Sequence, residues 1–437
     1  MTGRLRISNS FRVSPSFCLY LTRPRGIIAV IRAEGVTKVF GPNPESVKSL
    51  LEQGKSKDEI QSETGHVVGV NNASFEVGAG EVFCIMGLSG SGKSTLIRCI
   101  NRLIEPTFGK IILNDPEHGE MDIATMDGPT LRRVRSQHLS MVFQHFALFP
   151  HKTVLANVVY GLEVQGRDKA EREELGKKYL EMVGLGGWEN HYPDELSGGM
   201  QQRVGLARAV ATEANILLMD EPFSALDPLI KVQMQDELIR IQQELGRTIL
   251  FITHDLDEAM RIGDHIAIMD AGKIVQVGNP EEILVNPKTE YVAKFVEHAD
   301  PTGVITAETV ALPFSDRYFN RVGEEGGNQI WNRTGYTDVE FHVDTNGHLA
   351  KMRCEGNDVA LHELEEKITE SGGAPERHTD AAVHCTTDTI LKRVLRGRAY
   401  SELPVIVQDA EGRLKGIIDE PELIHGILEK HGYAQDD

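Results

Sequence analysis

The sequence predicts an α/β fold: a mostly parallel sheet with helices on its faces, followed by a smaller α+β domain. Four short apolar runs predict strands, namely VFCIMG (82–87), ILLMDEP (216–222), TILFITHD (248–255) and HIAIMD (265–270). Helical patterns separate several of these runs, and that alternation is typical of parallel sheets. Each run ends in turn or polar residues, so we expect functional side chains at the carboxyl edge of the sheet.

Composition and charge exclude several classes of protein. The 437 residues suffice for one large domain and one smaller one. The formal net charge of −19 argues against nucleic acid as the main partner, because an acidic surface repels a phosphate backbone. The five cysteines are scattered without a C-x-x-C, so neither a zinc site nor a disulfide framework is expected. No run of 18 apolar residues occurs, which predicts no membrane-spanning helix.

The first residues differ from the rest of the chain. The stretch that ends at Ala33 contains six arginines and no acidic residue. An organelle-targeting peptide has this composition. A disordered extension, or an upstream start codon, also explains it. Of these alternatives, we expect residues 1–32 to be a disordered extension.

Two helical segments interrupt the predicted sheet. Residues 130–212 are predicted to form a helical subdomain, within which DKAEREELGKKYLEMVGL (168–185) has apolar positions at helical spacing. Residues 42–66 form a second, polar helical insertion ahead of the first of these strands. Hydrophobic density falls in the C-terminal third, so the large domain is expected to span 33–298 and the small one 299–437.

A glycine-rich segment, GLSGSGKST (87–95), follows the first of these strands and precedes a helical pattern. It fits G-x-x-x-x-G-K-[ST], a phosphate-binding loop, in the context that the motif requires. The glycines let backbone N–H groups surround the phosphates, Lys93 adds positive charge at the β- and γ-phosphates, and the Ser94 hydroxyl can ligate Mg²⁺. The residues predicted to bind nucleotide here are Gly87, Ser89, Gly90, Ser91, Gly92, Lys93, Ser94 and Thr95.

Polar residues at the ends of further strands complete a nucleotide site. Asp220 and Glu221 follow ILLM, where Asp220 can hold Mg²⁺ and Glu221 can orient or deprotonate the attacking water. His254, at the end of LFITHD, can reach the γ-phosphate, although a strand-end histidine taken alone is more often structural. Gln144 in MVFQHFALFP can sense both Mg²⁺ and the γ-phosphate.

A second glycine cluster, LSGGM (196–200), follows well after the phosphate loop. Small residues ahead of a helix expose backbone donors and the positive end of the helix to an anion. One ordered set of residues resembles the ATP-binding cassette (ABC) ATPases over nearly all of 33–298: Lys93, Gln144, Ser197, Asp220–Glu221, Asp227 and His254. The resemblance implies a P-loop NTPase core that binds ATP and Mg²⁺.

The resemblance assigns roles to individual positions. Gln144 corresponds to the Q-loop, Asp227 to the D-loop SALD, and His254 to the switch histidine. Phe40 in VTKVFG corresponds to the aromatic residue that stacks on adenine, and a core residue at a strand end is the alternative.

The signature motif of the family corresponds to LSGGMQQR (196–203). In cassette ATPases the residues at the positions of Ser197, Gly198 and Gly199 contact the γ-phosphate bound in the opposite subunit. The resemblance therefore implies a homodimer that closes when ATP bridges the two copies and opens after hydrolysis.

Longer stretches resemble one group within the family, the ATPase subunits of glycine-betaine and choline importers. They are CIMGLSGSGKST, NRLIEPTFGKI, YPDELSGGMQQRVGLARA, FSALDPLIKVQMQDEL and ITHDLDEAMRIGD, together with the 42–66 insertion. The resemblance implies uptake of choline or glycine betaine across the bacterial inner membrane, with the chain as a peripheral subunit on the cytoplasmic face. The implied partners are a second copy, two membrane-spanning permease subunits and a periplasmic or extracellular substrate-binding protein.

Two other functions stay open at this point: import of another substrate, such as an amino acid or a polyamine, and a soluble cassette ATPase of translation or DNA repair. The single cassette and the absence of a long heptad run argue against the second. FALFPHKTVLANV (146–158) resembles the segment that meets the permease subunits, and a purely structural helix cap over 145–157 is the alternative.

The tail resembles a degenerate pair of cystathionine-β-synthase-type (CBS) modules, most clearly at 379–430 and less at 301–378. Where nucleotide-binding modules carry Thr-x-x-Asp, this chain has DEPE (419–422), and an acid there repels phosphate, so we expect no nucleotide in the tail. DVEFHVDTNGHL (338–349) and LPVIVQDAEGRL (403–414) share Asp, Gly and Leu, each pair 65 positions apart, which suggests an internal repeat. We expect the tail to regulate the ATPase or to assist dimerisation.

Overall fold

The computed structural model describes residues 29–115, 119–144, 147–335, 338–364 and 378–428. The strands within these residues are β1 Ala29–Phe40, β2 Val67–Gly78, β3 Val82–Met86, β4 Phe108–Asp115, β5 Gly119–Asp122, β6 Leu139–Val142, β7 Ile216–Asp220, β8 Thr248–Ile252, β9 His265–Asp270, β10 Lys273–Gly278, β11 Leu312–Pro313, β12 Phe319–Glu325, β13 Asn328–Arg333, β14 Val339–Val343, β15 Leu349–Cys354, β16 Asn357–Glu363, β17 Ala381–Thr386, β18 Val405–Gln408 and β19 Leu414–Ile418. The α-helices there are α1 Lys48–Glu52, α2 Lys57–Thr64, α3 Lys93–Ile100, α4 Gly128–His138, α5 Val154–Val158, α6 Tyr160–Val164, α7 Lys169–Met182, α8 Gly198–Ala211, α9 Pro228–Leu245, α10 Leu256–Ile262, α11 Pro280–Val285, α12 Glu290–Val296, α13 Ala307–Val310, α14 Leu391–Tyr400 and α15 Glu420–Leu428.

A six-stranded sheet confirms the mostly parallel sheet that the sequence predicts. Its order is β10-β9-β3-β8-β7-β6, and of these six strands β10 alone runs antiparallel to its neighbour. Every residue of β3, β7 and β8 is buried because both faces are covered, which is why their sequences are unbroken apolar runs. Alternate residues of β3 belong to two cores, with Cys84 and Met86 in one and Phe83 and Ile85 in the other.

A four-stranded antiparallel sheet, in the order β2-β1-β4-β5, shares the second of these cores. It corrects the predicted N-terminal boundary, because β1 begins at Ala29, inside the predicted extension 1–32. Ile31 is fully buried and pairs with Leu113, so the last residues of the predicted extension belong to the core. The arginine-rich composition of the extension gave no sign of this. Residues 1–28 lie outside the described residues.

Both predicted helical insertions are present. In the polar insertion, a 3₁₀ helix (Pro44–Val47) leads into α1 and α2. Ile60 of α2 anchors it, because this side chain is fully buried in a cluster with residues of β1 and β2. The second insertion comprises α5 to α8. The predicted range 130–212 is too wide at its start, since β6 lies inside that range and belongs to the parallel sheet.

The tail forms a nine-stranded sheet in the order β11-β19-β18-β17-β16-β15-β14-β13-β12. Strands β12 to β16 are an antiparallel meander, and the parallel pairs β16–β17 and β17–β18 join it to the second half. The second half runs β17-α14-β18-β19-α15. The α+β class is thereby confirmed. The described part of the first half is a meander instead, so the resemblance to paired CBS modules stays a prediction, as does the domain boundary at 298.

The two turns that the sequence suggests as a repeat are built alike. Asp344 accepts hydrogen bonds from the backbone N–H groups two and four residues later, at 2.7 and 2.9 Å. Asp409 does the same at 3.1 and 2.8 Å. In the first turn, the N–H of His348 holds the pKa of Asp344 below its usual value. The turns also touch, since the N–H of Leu414 donates to the carbonyl of Gly347 at 2.9 Å.

Internal ion pairs neutralise the acidic segment DEPE of the tail. The buried guanidinium group of Arg398 donates to Asp419 at 2.8 Å and to the carbonyl of Ser401 at 2.6 Å. The guanidinium group of Arg333 donates to Glu422 at 2.7 Å. Charge-assisted bonds of this kind are the strong ones. The chain's own arginines therefore supply the ion-pair partners of Asp419 and Glu422.

Replacing Arg398 by alanine is expected to destabilise the tail by about 2–3 kcal/mol, because the mostly buried Asp419 carboxylate loses its ion-pair partner. The measurement is hydrogen exchange of β17 and β19, which reports the local opening free energy in a protein of several domains. Arg396→Ala is the matched control, since Arg396 lies exposed on the same helix. Equal loss of protection in the two variants would contradict the role given to the ion pair.

Candidate functional site

The phosphate loop connects β3 to α3 at the carboxyl edge of the parallel sheet. Gly92 has a φ of +104°, and a Cβ there would lie 2.2 Å from the carbonyl oxygen of Gly69, so this position requires glycine. Lys93, the first residue of α3, folds back, and its Nζ donates to the carbonyls of Gly87 and Leu88 at 2.7 and 3.1 Å. The loop is thus a tight ring of backbone around one ammonium group.

Lys93 is nearly fully buried. Burial lowers its pKa, and the nearby carboxylates of Glu221 and Asp220 oppose that shift. In the same loop, the hydroxyl of Ser91 is buried without a hydrogen-bond partner among the described residues. A phosphate in the loop would supply the ammonium group with a counter-charge.

Asp220 ends β7 and is almost fully buried. Both of its carboxylate oxygens accept hydrogen bonds from α3, from the Ser94 hydroxyl at 2.7 Å and from the Arg98 guanidinium group at 3.0 Å. The sequence predicted Ser94 and Asp220 as Mg²⁺ ligands but missed Arg98. Its position four residues after Ser94, which places both on one face of the helix, is the signal that could have found it.

Glu221 and His254 meet at the ends of β7 and β8. The carboxylate oxygen Oε2 of Glu221 lies 3.0 Å from Nδ1 of His254. The register of the strands explains this, since Asp220 pairs with Ile252 and the residues that follow come together. Glu221 adopts a left-handed backbone with a φ of +47°, which costs about 1–2 kcal/mol for a residue with a side chain. Its N–H donates to the carbonyl of Ile252 at 3.0 Å and so holds the turn.

A cavity of about 420 Å³ is bounded by the phosphate loop, β2 and α2. Predicted residues that line it are Phe40, Ser89, Gly90, Gly92, Lys93, Ser94, Thr95 and Glu221. Sequence reasoning missed the rest of the wall, which consists of Lys57, Asp58, Gln61, Val67, Val68 and Gly69. Phe40 exposes 39% of its surface, which fits a stacking position and not a core residue.

The other predicted residues do not line this cavity: Gly87, Ser91, Gln144, Ser197, Gly198, Gly199, Asp220, Asp227 and His254. Gly87 and Ser91 belong to the loop around the ammonium group, and Asp220 and His254 hydrogen-bond to residues that do line the cavity. Gln144, the signature residues and Asp227 neither line the cavity nor belong to the phosphate loop.

The signature segment lies at the start of α8. Ser197 caps this helix, since its hydroxyl accepts a hydrogen bond from the N–H of Met200 at 3.4 Å. Ser197 and Gly198 are exposed. A Cβ at Gly199 would lie 2.7 Å from Cγ2 of Ile230, so the missing side chain lets α8 approach α9 closely.

Gln144 and Asp227 each lie at an element boundary. Gln144 stands two residues after β6 and is half-buried, and its neighbours 145–146 lie outside the described residues. Asp227 is exposed and caps α9, accepting a hydrogen bond from the N–H of Ile230 at 3.1 Å. Their roles at the nucleotide stay predictions.

The profile of the ABC transporter family matches residues 70–224. The glycine betaine/carnitine transport ATP-binding protein GbuA of Listeria monocytogenes serotype 1/2a (strain 10403S) is 47% identical over 389 residues, which cover 89% of this chain and 95% of that protein. The chain belongs to the ABC transporter ATP-binding proteins.

Two further ABC proteins show similarity of the same extent. The glycine betaine transport ATP-binding protein OpuAA of Bacillus subtilis (strain 168) is 46% identical, over 92% of this chain and 93% of that protein. The glycine betaine/proline betaine transport system ATP-binding protein ProV of Escherichia coli (strain K12) is 42% identical, over 91% and 97%. The predicted family and its ATPase activity are thereby confirmed, and the likeness extends into the tail. Among the described residues of this ABC ATPase, no helix combines the length and apolarity that crossing a membrane requires.

Internal hydrogen bonds fix the segment that follows Gln144 in this ABC ATPase. Asn157 of α5 is fully buried, and its side chain accepts from the N–H of Phe149 at 2.7 Å and donates to the Phe149 carbonyl at 3.1 Å. Arg208 of α8 donates to the carbonyl of Ala147 at 2.7 Å. Thr153 also caps α5, as the structural alternative for this segment requires. Phe146, which begins the predicted permease contact, lies outside the described residues, as does His145 before it.

Proposed function

We propose that this ABC ATPase drives uptake of glycine betaine or choline as the nucleotide-hydrolysing subunit of a bacterial importer. One observation carries the proposal: glycine betaine transport ATP-binding proteins match 89–92% of the chain, the tail included. The further substrates in their names, carnitine and proline betaine, are quaternary ammonium compounds too. The chemistry shared by these cargoes is a permanent cation joined to a carboxylate or a hydroxyl.

The geometry supports in-line hydrolysis of ATP. The triphosphate is expected in the loop, with the base at the wall that Phe40 forms, and Lys93 neutralises charge at the β- and γ-phosphates. Glu221 lines the cavity, where its carboxylate can orient the attacking water and accept a proton. His254, 3.0 Å from that carboxylate, fixes its position and can reach the γ-phosphate.

The residues beside the loop fit Mg²⁺. Mg²⁺ takes oxygen ligands and is typically held by one or two protein groups together with substrate phosphates. The Ser94 hydroxyl and the Asp220 carboxylate offer two oxygens 2.7 Å apart. Among the described residues, no group of three or more His, Cys, Asp or Glu side chains could hold a metal without a phosphate. We assign Mg²⁺ to Ser94 and Asp220, with Gln144 as a further ligand; bound there, it would neutralise phosphate charge.

A second copy of the chain is needed to complete the site. Ser197 and Gly198 are exposed at the start of α8 and do not line the cavity of their own chain. The start of a helix favours an anion. We infer that Ser197, Gly198 and Gly199 meet the γ-phosphate held by Lys93 of a second copy, with Asp227 at the same interface.

The remaining partners are assigned from the family. Two permease subunits and a periplasmic or extracellular binding protein complete the importer, which places the ATPase at the cytoplasmic face of the membrane as a peripheral subunit. The surface proposed to meet the permease is segment 147–157 with the exposed side chains of Tyr160 and Val164. Asn157 joins Phe149 to α5 through two hydrogen bonds and so fixes the position of this segment.

Deletion of the gene, followed by uptake of labelled choline and labelled glycine betaine, tests the proposal. We expect uptake of at least one of them to be lost, restored by the wild-type gene, and not restored by Lys93→Ala. Uptake that rises with added salt only when the tail is present would give the tail a regulatory role. Unchanged uptake of both compounds, in a strain without another carrier, would overturn the substrate and leave the ATPase family untouched.

A further inference from the structure

Helix α2, inside the polar insertion, forms part of the wall of the nucleotide cavity. Lys57, Asp58 and Gln61 line this cavity together with Phe40 and the phosphate loop. Positions 57, 58 and 61 share one face of a helix, because residues three and four apart are neighbours. The insertion therefore presents three polar side chains to the same space as the nucleotide.

The helix is fixed in this position by its own contacts. Ser56 and Glu59 form a reciprocal cap at its start, with the N–H of Glu59 donating to the Ser56 hydroxyl at 3.2 Å and the N–H of Ser56 donating to the Glu59 carboxylate at 2.7 Å. The cap lowers the pKa of Glu59, chiefly through the backbone bond from Ser56. Ile60 of the same helix is fully buried in the cluster with β1 and β2. A wall built in this way is preorganised for binding.

The imidazole ring of His66 hydrogen-bonds to both ends of the insertion. Nε2 of the buried His66 lies 2.6 Å from the carbonyl oxygen of Pro42, and its Nδ1 lies 3.0 Å from the hydroxyl of Thr64. Pro42 precedes the insertion's first helix and Thr64 ends its last, so the loop closes on itself beside β1 and β2.

The chemistry of this wall suits the edge of a purine. Phe40 and Val67 are paired across β1 and β2 and expose 39% and 46% of their surfaces, which offers an apolar floor on which a ring can stack. Asp58 and Gln61 line the same cavity with groups that accept or donate hydrogen bonds.

We propose that α2 selects the base of the bound nucleoside triphosphate, with Asp58 and Gln61 contacting the base edge. A carboxylate accepts a hydrogen bond from the exocyclic amine of adenine, so Asp58 favours ATP over purine riboside triphosphate, which has the same ring system without that amine. This inference rests on the proposed function, in which the cavity holds ATP. It gives the insertion a part in the nucleotide site.

Competition of ATP and purine riboside triphosphate against a fluorescent ribose-labelled ATP, on the full chain with Mg²⁺, tests the inference. In Asp58→Asn the ratio of the dissociation constant of purine riboside triphosphate to that of ATP should fall about fivefold, since a neutral amide accepts a weaker hydrogen bond from the adenine amine than a carboxylate does. Gln61→Ala should weaken ATP binding by a few fold and provides a second variant if the first does not fold. Ser62→Ala, exposed on the same helix and outside the cavity, is the matched control.

An unchanged ratio in a folded Asp58→Asn protein, together with unchanged ATP affinity in Gln61→Ala, would overturn the inference. Loss of affinity for both nucleotides to the same extent, accompanied by a lower melting temperature, would overturn it as well, because it would show a structural role only. Failure of the proposed function looks different: Lys93→Ala would then bind ATP as well as the wild type does.

Discussion

Glu221→Gln is expected to slow ATP hydrolysis by about 10²–10⁴-fold while ATP binding persists, because an amide cannot accept the proton of the attacking water. The amide keeps the size of the side chain and leaves the hydrogen bond from the backbone N–H to Ile252 in place. The measurement is phosphate release in a single turnover, with ATP affinity determined separately on the same protein.

Glu213→Gln is the matched control. Glu213 also has a left-handed backbone, with a φ of +57°, but it pairs with Arg167 and does not line the cavity. Its replacement should leave phosphate release unchanged. Unchanged turnover in Glu221→Gln would remove that residue from the reaction. A parallel loss of ATP affinity would instead assign it to binding.

Ser197→Arg is expected to abolish the ATP-dependent dimer, because a long cation at the start of α8 cannot fit between the helix and a γ-phosphate of the other copy. Each copy should still bind ATP, since Ser197 does not line the cavity of its own chain. Loss of the helix cap adds only about 1 kcal/mol of destabilisation. Size-exclusion chromatography with ATP, in a Glu221→Gln background that slows hydrolysis, measures the dimer.

Ser315→Arg introduces the same side chain at an exposed serine of the tail and serves as the control. Dimers should form normally in this variant. An ATP-dependent dimer of Ser197→Arg, equal in amount to that of the control, would contradict the proposal that the site is divided between two copies.

The parallel sheet and the phosphate loop were predictable because local patterns determine them. Strands β3, β7 and β8 are buried on both faces, so their sequences are continuous apolar runs. Such runs are recognised without any alternating pattern of apolar and polar residues. The loop motif carries its own geometry, since Gly92 is required by its positive φ and by the nearby carbonyl. The pairing of Glu221 with His254 follows from the register of two neighbouring parallel strands.

The missed residues depend on contacts between distant segments. In the sequence, Asp58 and Gln61 resemble the solvent-exposed face of an ordinary helix. They line the nucleotide cavity because the buried side chain of Ile60 fixes the orientation of that helix. Arg98 and Arg398 lie in helices that carry other basic residues, and the sequence alone does not show that Asp220 and Asp419 accept their hydrogen bonds. Such pairs join residues far apart along the chain, where pattern analysis has no period to detect.

The hydrogen bond between the two hairpin turns of the tail affects the order in which the tail folds. The bond from the Leu414 N–H to the Gly347 carbonyl, and the shared sheet through β16 and β17, join halves that are far apart in sequence. Contacts of such long range form late, because closing the intervening loop costs entropy before any contact stabilises it. During synthesis the meander is therefore left with β16 as an open edge until the last strands emerge from the ribosome. A chain truncated before β17 keeps that edge permanently, and open edges promote aggregation.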